Sequence, residues 1–158
     1  MENEKIQIDT QAYGFSGLGI HEQMMRALAS QNFKAPTPIQ HQVIPVAIEG
    51  KDIIGVAQTG TGKTLAFGIP MIQRLAGLPG KQGLVIVPTR ELALQAEEKL
   101  QQIGRVFKLK TAVLIGGTGM GMQLRQLRAN PHIIIATPGR LNDHLGQKNM
   151  HLNNMAIL

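Results

Sequence analysis

Four short stretches of the chain are apolar at nearly every position: residues 52–57 (DIIGVA), 83–87 (GLVIV), 111–115 (TAVLI) and 132–136 (HIIIA). A strand with one wet face alternates apolar and polar residues. Continuous apolar runs of this length belong instead to strands buried on both faces, as in a parallel sheet covered by helices. Between the runs, apolar residues recur at helical spacing over residues 62–75, 90–103, 122–129 and 138–145. Gly50, Gly77, Gly104 and Gly146 stand just past helical stretches, where helices commonly stop. Thr37-Pro38 and Thr137-Pro138 each supply an N-cap followed by proline at the first helical position. This alternation predicts an α/β fold, a parallel sheet flanked by helices with right-handed crossovers. Residues 18–30 read as a helix ahead of the series and residues 1–17 as a loose N-terminal arm, leaving 18–158 as the domain. Met155, Ala156, Ile157 and Leu158 open one more apolar strand, in which the chain stops. The expectation is therefore a piece cut from a longer protein.

Composition narrows this picture only slightly. The chain has 158 residues, 43% of them hydrophobic but only 3% aromatic, so the core must be aliphatic. It has no Cys, which excludes a disulfide framework and a thiolate metal site and fits a reducing, cytoplasmic setting. No apolar stretch approaches the roughly 20 residues that a membrane span needs. The first ten residues are polar and charged, unlike a secretory leader. A formal net charge of +6 favours polyanionic partners, because Lys and Arg that neutralise phosphates release condensed counterions. Simple solubility explains the charge equally well.

The most specific chemistry follows the first apolar run. Ala57, Gln58, Thr59, Gly60, Thr61, Gly62, Lys63 and Thr64 connect a predicted strand to a predicted helix, the context that a phosphate-binding loop requires. Glycines let backbone N–H groups converge on phosphate oxygens, and the positive end of the following helix adds to that field. Lys63 would set a point charge on the β and γ oxygens, and the Thr64 hydroxyl would ligate Mg²⁺. The general pattern G-x-x-x-x-G-K-[ST] has Gly at the first position, where this chain has Ala57. Upstream, Gln40 carries a donor and an acceptor in one plane, which matches the N6/N7 edge of adenine. Thr37 and Gln40 also fit a capping box, and that reading is the simpler one.

Taken together, these motifs resemble those of the DEAD-box ATP-dependent RNA helicases. Residues 33–40 look like that family's Q motif, and Phe15 stands at the spacing of its upstream aromatic. The Ala57-to-Thr64 loop matches the family's own Walker A, in which the first residue is Ala. Pro88, Thr89, Arg90, Glu91, Leu92 and Ala93 resemble motif Ia, Gly116-Gly117 the glycine doublet, and Thr137, Pro138, Gly139 and Arg140 motif Ib. The resemblance runs from about Phe15 to the end of the chain.

It implies a RecA-like P-loop NTPase fold, the first of two such domains, cut before the Walker B strand. It implies that Gln40 reads adenine, that Phe33 stacks near the base, that the backbone around Ala35 contacts its edge and that Phe15 buttresses the pocket. The loop through Lys63 and Thr64 would hold the phosphates of ATP and Mg²⁺. Pro88, Thr89, Arg90, Gly116, Gly117, Thr137, Pro138, Gly139 and Arg140 would line a track for the RNA backbone. Such contacts position RNA without reading its sequence. Each also has a bland alternative: the threonines as N-caps, the glycines as a turn, the arginines as solvated helix-start residues.

Other signals fail. His21-Glu22 opens like a zinc-binding H-E-x-x-H, but Met25 holds the place of the second His. Glu91, Glu97 and Glu98 read as an exposed helix face rather than acid–base carboxylates. No acidic residue follows Asp143, so the acid that hydrolysis needs beside Mg²⁺ is missing and the chain is expected to bind without turnover. The implied partners are RNA and a second RecA-like domain, with no membrane, and a strand-paired or swapped dimer through the incomplete sheet. Two other functions stay open here: a non-catalytic nucleotide- or RNA-binding module, and a P-loop NTPase unrelated to RNA.

Overall fold

A computed structural model describes residues 14–158. The elements are α1 (Glu22–Ser30), α2 (Pro38–Ile48), α3 (Lys63–Ala76), β1 (Gln82–Ile86), α4 (Arg90–Gly104), a 3₁₀ turn (Arg105–Phe107), β2 (Thr111–Leu114), α5 (Met120–Arg128), β3 (Ile133–Ala136), α6 (Pro138–Gly146) and β4 (Met155–Ile157). They group into two compact units, Met1–Pro70 and Met71–Leu158.

The second unit holds the sheet, four strands in the order β2-β3-β1-β4 with every pair parallel. β3 is flanked on both sides: Ile134 stands level with Leu84 of β1 and with Ala112 of β2. All four of its residues are buried, as its unbroken apolar run predicts. Because side chains alternate along a strand, Leu84, Ala112, Leu114, Ile134 and Ala136 share one face, where they cluster with Leu127 of α5, with Leu141 and Leu145 of α6 and with Met150. The opposite face takes the last turns of α3: a Cβ at Gly83 would stand 3.0 Å from Met71 Sδ and 3.1 Å from Leu75 Cδ1. The buried stripe of α4 (Ala93, Ala96, Leu100 and Ile103) repeats at helical spacing, and α4 packs against β2 and β3. Helices thus cover a parallel sheet, and their boundaries fall within two residues of those that the sequence predicts.

The first unit departs from expectation. Residues 52–57 form no strand, and none of the pairings among the described residues involves them. Gly55 lies against Ile39 and Val43 of α2, while Ile54 and Val56 are 96% and 92% exposed. A strand must hand its N–H and C=O groups to a neighbour, and this run has none among the described residues. The helix expected over 18–30 begins at Glu22, because His21 is extended (φ −63°, ψ 146°). The predicted N-terminal arm lies outside the described residues for its first thirteen positions. Residues 14–17 form a turn that buries Phe15, with Gly14 against the Lys34 carbonyl.

Candidate functional site

In the first unit the phosphate-loop residues run directly into α3, whose first residue is Lys63. The first N–H groups of a helix have no partner within it and point outward with the positive end of the dipole. Ala66 N is the first to bond back, to Gly62 O at 3.1 Å. Gly62 holds φ +86°, and a Cβ there would collide with the Gln40 amide, so both conformation and space require glycine. The Lys63 ammonium donates to the carbonyls of Ala57 and, at 3.1 Å, of Gln58. Thr61 Oγ1 donates to Gln58 O at 2.7 Å. The loop is therefore wrapped around its own lysine, which keeps one of its three donors for an incoming oxygen.

Gln40, 3% exposed, is tied to this loop. Its Oε1 accepts from Thr37 N at 3.0 Å, which realises the capping reading, and its Nε2 donates to Gly62 O at 3.1 Å. An amide can make four hydrogen bonds, so one lone pair and one N–H remain. The Thr37 hydroxyl is buried without a partner beside the same loop. Phe33 and Thr64 are half-buried, and Ala35 is exposed. Glycine-built amides, a helix start, a free ammonium donor and a threonine hydroxyl next to the lysine form a donor set that fits a triphosphate and a hard divalent cation. Lys63 and the loop amides would hold the phosphates and Thr64 the cation, which when bound would neutralise charge on the phosphate oxygens. Among the described residues no cluster of His, Cys, Asp or Glu forms an independent metal site.

The second unit brings the other predicted residues to one edge. Parallel strands put the turns that follow them on the same side of the sheet, where ligands of open α/β folds gather. Val87 N bonds Ala136 O and Thr137 N bonds Leu114 O, each at 3.0 Å, so the three turns start level. From α4, Arg90 reaches across and donates to Gly116 O at 3.1 Å. From α6, Arg140 donates to Thr118 O at 3.2 Å and stands 3.5 Å from Asp143. Gly117 holds φ +79° at the spot where a Cβ would strike the Arg90 guanidinium. Neither arginine is the freely solvated side chain of the bland alternative. Thr89 does act as an N-cap, its Oγ1 accepting from Leu92 N at 3.2 Å, whereas Thr137 makes no side-chain cap bond. Pro88 and Gly139 are exposed, and Gly139 has open space beside it.

Beneath this edge lies a polar group that the sequence reading passed over. Gln123 and His144 are both 0% exposed and bonded to each other, His144 Nε2 to Gln123 Oε1 at 2.8 Å. Burial, chiefly, and then the Arg140 charge hold the His144 imidazole below its ordinary pKa of 6.5, against an opposing pull from Asp143. A signal was present: Gln123 and His144 stand on the apolar stripes of their helices, with Leu127 and Leu141, and a polar residue there needs a partner. Glu97, by contrast, accepts from Thr111 Oγ1 at 2.9 Å, an ordinary structural role.

A family model described as "DEAD/DEAH box helicase" matches residues 37–158. The chain is 45% identical over 142 residues to the DEAD-box ATP-dependent RNA helicase CshA of Bacillus subtilis, covering 89% of this chain and 29% of that one. It is 48% identical over 149 residues to the ATP-dependent rRNA helicase rrp3 of Emericella nidulans, covering 93% and 32%. A solved structure of a DEAD box protein from the hyperthermophile Methanococcus jannaschii superposes with TM-score 0.84 at 33% identity, over 90% of this chain and 39% of that one. The chain thus spans about a third of the length of these curated relatives. The chain belongs to the DEAD/DEAH box helicase family.

Proposed function

We propose that this chain is the ATP-binding, RNA-engaging portion of an ATP-dependent RNA helicase, in which ATP hydrolysis is coupled to local unwinding of RNA duplexes. The observation that carries the reading is the glycine-built loop wound around Lys63 at the start of α3, with Gln40 bonded to Gly62. ATP with Mg²⁺ is the ligand of that loop. Lys63 exchanges its bonds to the Ala57 and Gln58 carbonyls for phosphate oxygens. Thr64 takes the cation, and the spare lone pair and N–H of Gln40 meet adenine N6 and N7. Phe33, Ala35 and the buried Phe15 complete the base site.

RNA lies along the sheet edge formed by Pro88, Thr89, Arg90, Gly116, Gly117, Thr137, Pro138, Gly139 and Arg140. A guanidinium has five N–H donors, so Arg90 and Arg140 keep several after bonding the glycine turn. Turnover and unwinding belong to the whole helicase, with its second RecA-like domain, and this chain by itself binds without hydrolysing. The reading places the protein in the cytoplasm, where both ligands are available. The outward-facing Ile54 and Val56 favour one more interaction, strand pairing with a second copy through residues 52–57.

Two titrations test the core of this. Gln40→Ala should lose the preference for ATP over GTP, and Arg90→Ala or Arg140→Ala should weaken binding of single-stranded RNA. A chain that prefers no base and binds no RNA would be a P-loop NTPase of another kind. RNA-stimulated ATP hydrolysis by this chain alone would contradict the assignment of binding without turnover.

A further inference from the structure

Three short turns meet at the RNA edge: residues 87–89 after β1, the glycine-bearing residues 115–119 after β2, and Thr137 ahead of α6. Something must set the distance between them if one RNA backbone is to contact all three. Arg90 and Arg140 tie the rims, but both are also the side chains whose remaining donors would engage phosphate. The buried pair beneath is not exposed to any ligand, and its bonds are directional.

Gln123 sits in the first turn of α5, directly after the glycine turn. Its Nε2 donates to Ile115 O at 2.8 Å and to Thr118 Oγ1, so it spans the two ends of the 115–118 turn. Thr118 Oγ1 in turn donates to Ile115 O at 3.1 Å. With both amide hydrogens spent, Gln123 can meet His144 only through Oε1, an acceptor. His144 Nε2 must then carry the proton and donate. Its Nδ1 is left to accept from Asn149 Nδ2 at 3.4 Å. The chain of donors therefore runs one way: Asn149 to His144, His144 to Gln123, Gln123 to the turn. It links α6, whose first turn carries Gly139 and Arg140, to the loop that carries Gly116 and Gly117.

We propose that Gln123 and His144 are positioning residues that hold the Gly116-Gly117 turn in register with the Thr137–Arg140 helix start, so that both engage one RNA strand. The inference rests on the reading of this edge as an RNA track. It adds that affinity depends on a buried hydrogen bond that RNA never touches.

The test uses the 158-residue chain, a fluorescently labelled single-stranded RNA and thermal melts. Gln123→Met and His144→Leu each leave one buried polar group unpaired and should lower both stability and RNA affinity. In the double variant no polar partner is left over, so the melting temperature should recover in large part. RNA affinity should stay about tenfold below the parent, because an apolar contact does not fix the turn. His144→Gln keeps an N–H donor toward Gln123 and should bind RNA like the parent, while His144→Asn is too short and should not. Binding of ATP should be unchanged throughout. Nitrogen-15 NMR should find the His144 proton on Nε2.

If the double variant recovers RNA affinity together with stability, the pair only packs and the inference is overturned. Should that variant fail to fold, equal RNA affinity for His144→Gln and His144→Asn overturns it instead. If Arg140→Ala weakens RNA binding but Gln123→Met does not, positioning alone fails. If neither Arg90→Ala nor Arg140→Ala matters, the RNA track fails and the inference falls with it.

Discussion

The runs at 52–57 and 132–136 look alike in sequence, yet one is the best-buried strand of the sheet and the other is a bare segment. β3 has a parallel neighbour on each side and all four of its residues are buried. Among the described residues no strand pairs with 52–57, and Ile54 and Val56 face outward. Apolar character reports that a segment wants to be covered on both faces; pairing decides whether it becomes a strand. Charge divides the same two regions. The unit ending at Pro70 has five Lys and Arg against six Asp and Glu, whereas the unit from Met71 has eleven against four. The basic excess belongs to the unit that holds the sheet, where Arg90 and Arg140 stand at the edge that we assign to a polyanion; the loop proposed for nucleotide offers backbone amides and one lysine. In the proposed function these are two ways to bind phosphate: a focused field at a helix start, and arginine side chains whose grip should fall with salt.

The largest expected effect separates the two apolar runs. Ile134→Asp puts an unpaired carboxylate at the centre of the sheet and should cost more than about 4 kcal/mol, enough to unfold the unit. Ile54→Asp should shift stability by no more than about 0.5 kcal/mol, and should shift the chain toward monomer if residues 52–57 pair between copies. Urea denaturation and light scattering read both. A comparable cost for Ile54→Asp would mean that this run is covered after all.

His144 gives a smaller effect, confined to the sheet unit. Its folded pKa lies below the unfolded value of 6.5, so at mildly acidic pH the unfolded chain binds the proton and the folded chain does not. The contribution is complete above pH 6.5 and is lost as pH falls from there toward the folded pKa, where it levels off. The slope should not exceed about 1.4 kcal/mol per pH unit. His144→Gln should remove that dependence from a pH series of denaturation curves, and an unchanged slope would assign it to another group.

The two cap threonines give the smallest difference. Thr89→Ala removes a real cap and should cost about 1 kcal/mol, whereas Thr137→Ala should cost only a few tenths. Thr137→Ala should weaken RNA binding more than its small effect on stability suggests. Equal stability costs would show that Thr137 caps in solution.

How much could be read in advance follows from the range of the interactions involved. Helix starts after Thr89, Thr37 and Thr137 were legible from local signals: a threonine cap at Thr89, and proline at the first helical position after Thr37 and Thr137. The strands β1, β2 and β3 were legible because their apolar runs do find partners. The 52–57 run was misread because nothing local records the absence of a neighbour. Lys63 and the glycines were legible as chemistry, but the closure of the lysine onto Ala57 and Gln58 was not. The Gln123–His144 bond joins positions 21 apart on two helices, and only the fold brings them together. Gln40 was read both as cap and as adenine reader; the structure realises the cap, and reading of adenine is part of the proposed function.

The central claim is that the loop around Lys63 is a triphosphate cradle, and calorimetric titration with Mg·ATP tests it most directly. The chain should bind ATP, and Lys63→Ala should bind it about 10- to 100-fold more weakly with an unchanged melting temperature, as expected for loss of a charged hydrogen bond. Equal affinity of Lys63→Ala and the parent, or no binding by the parent, would contradict it.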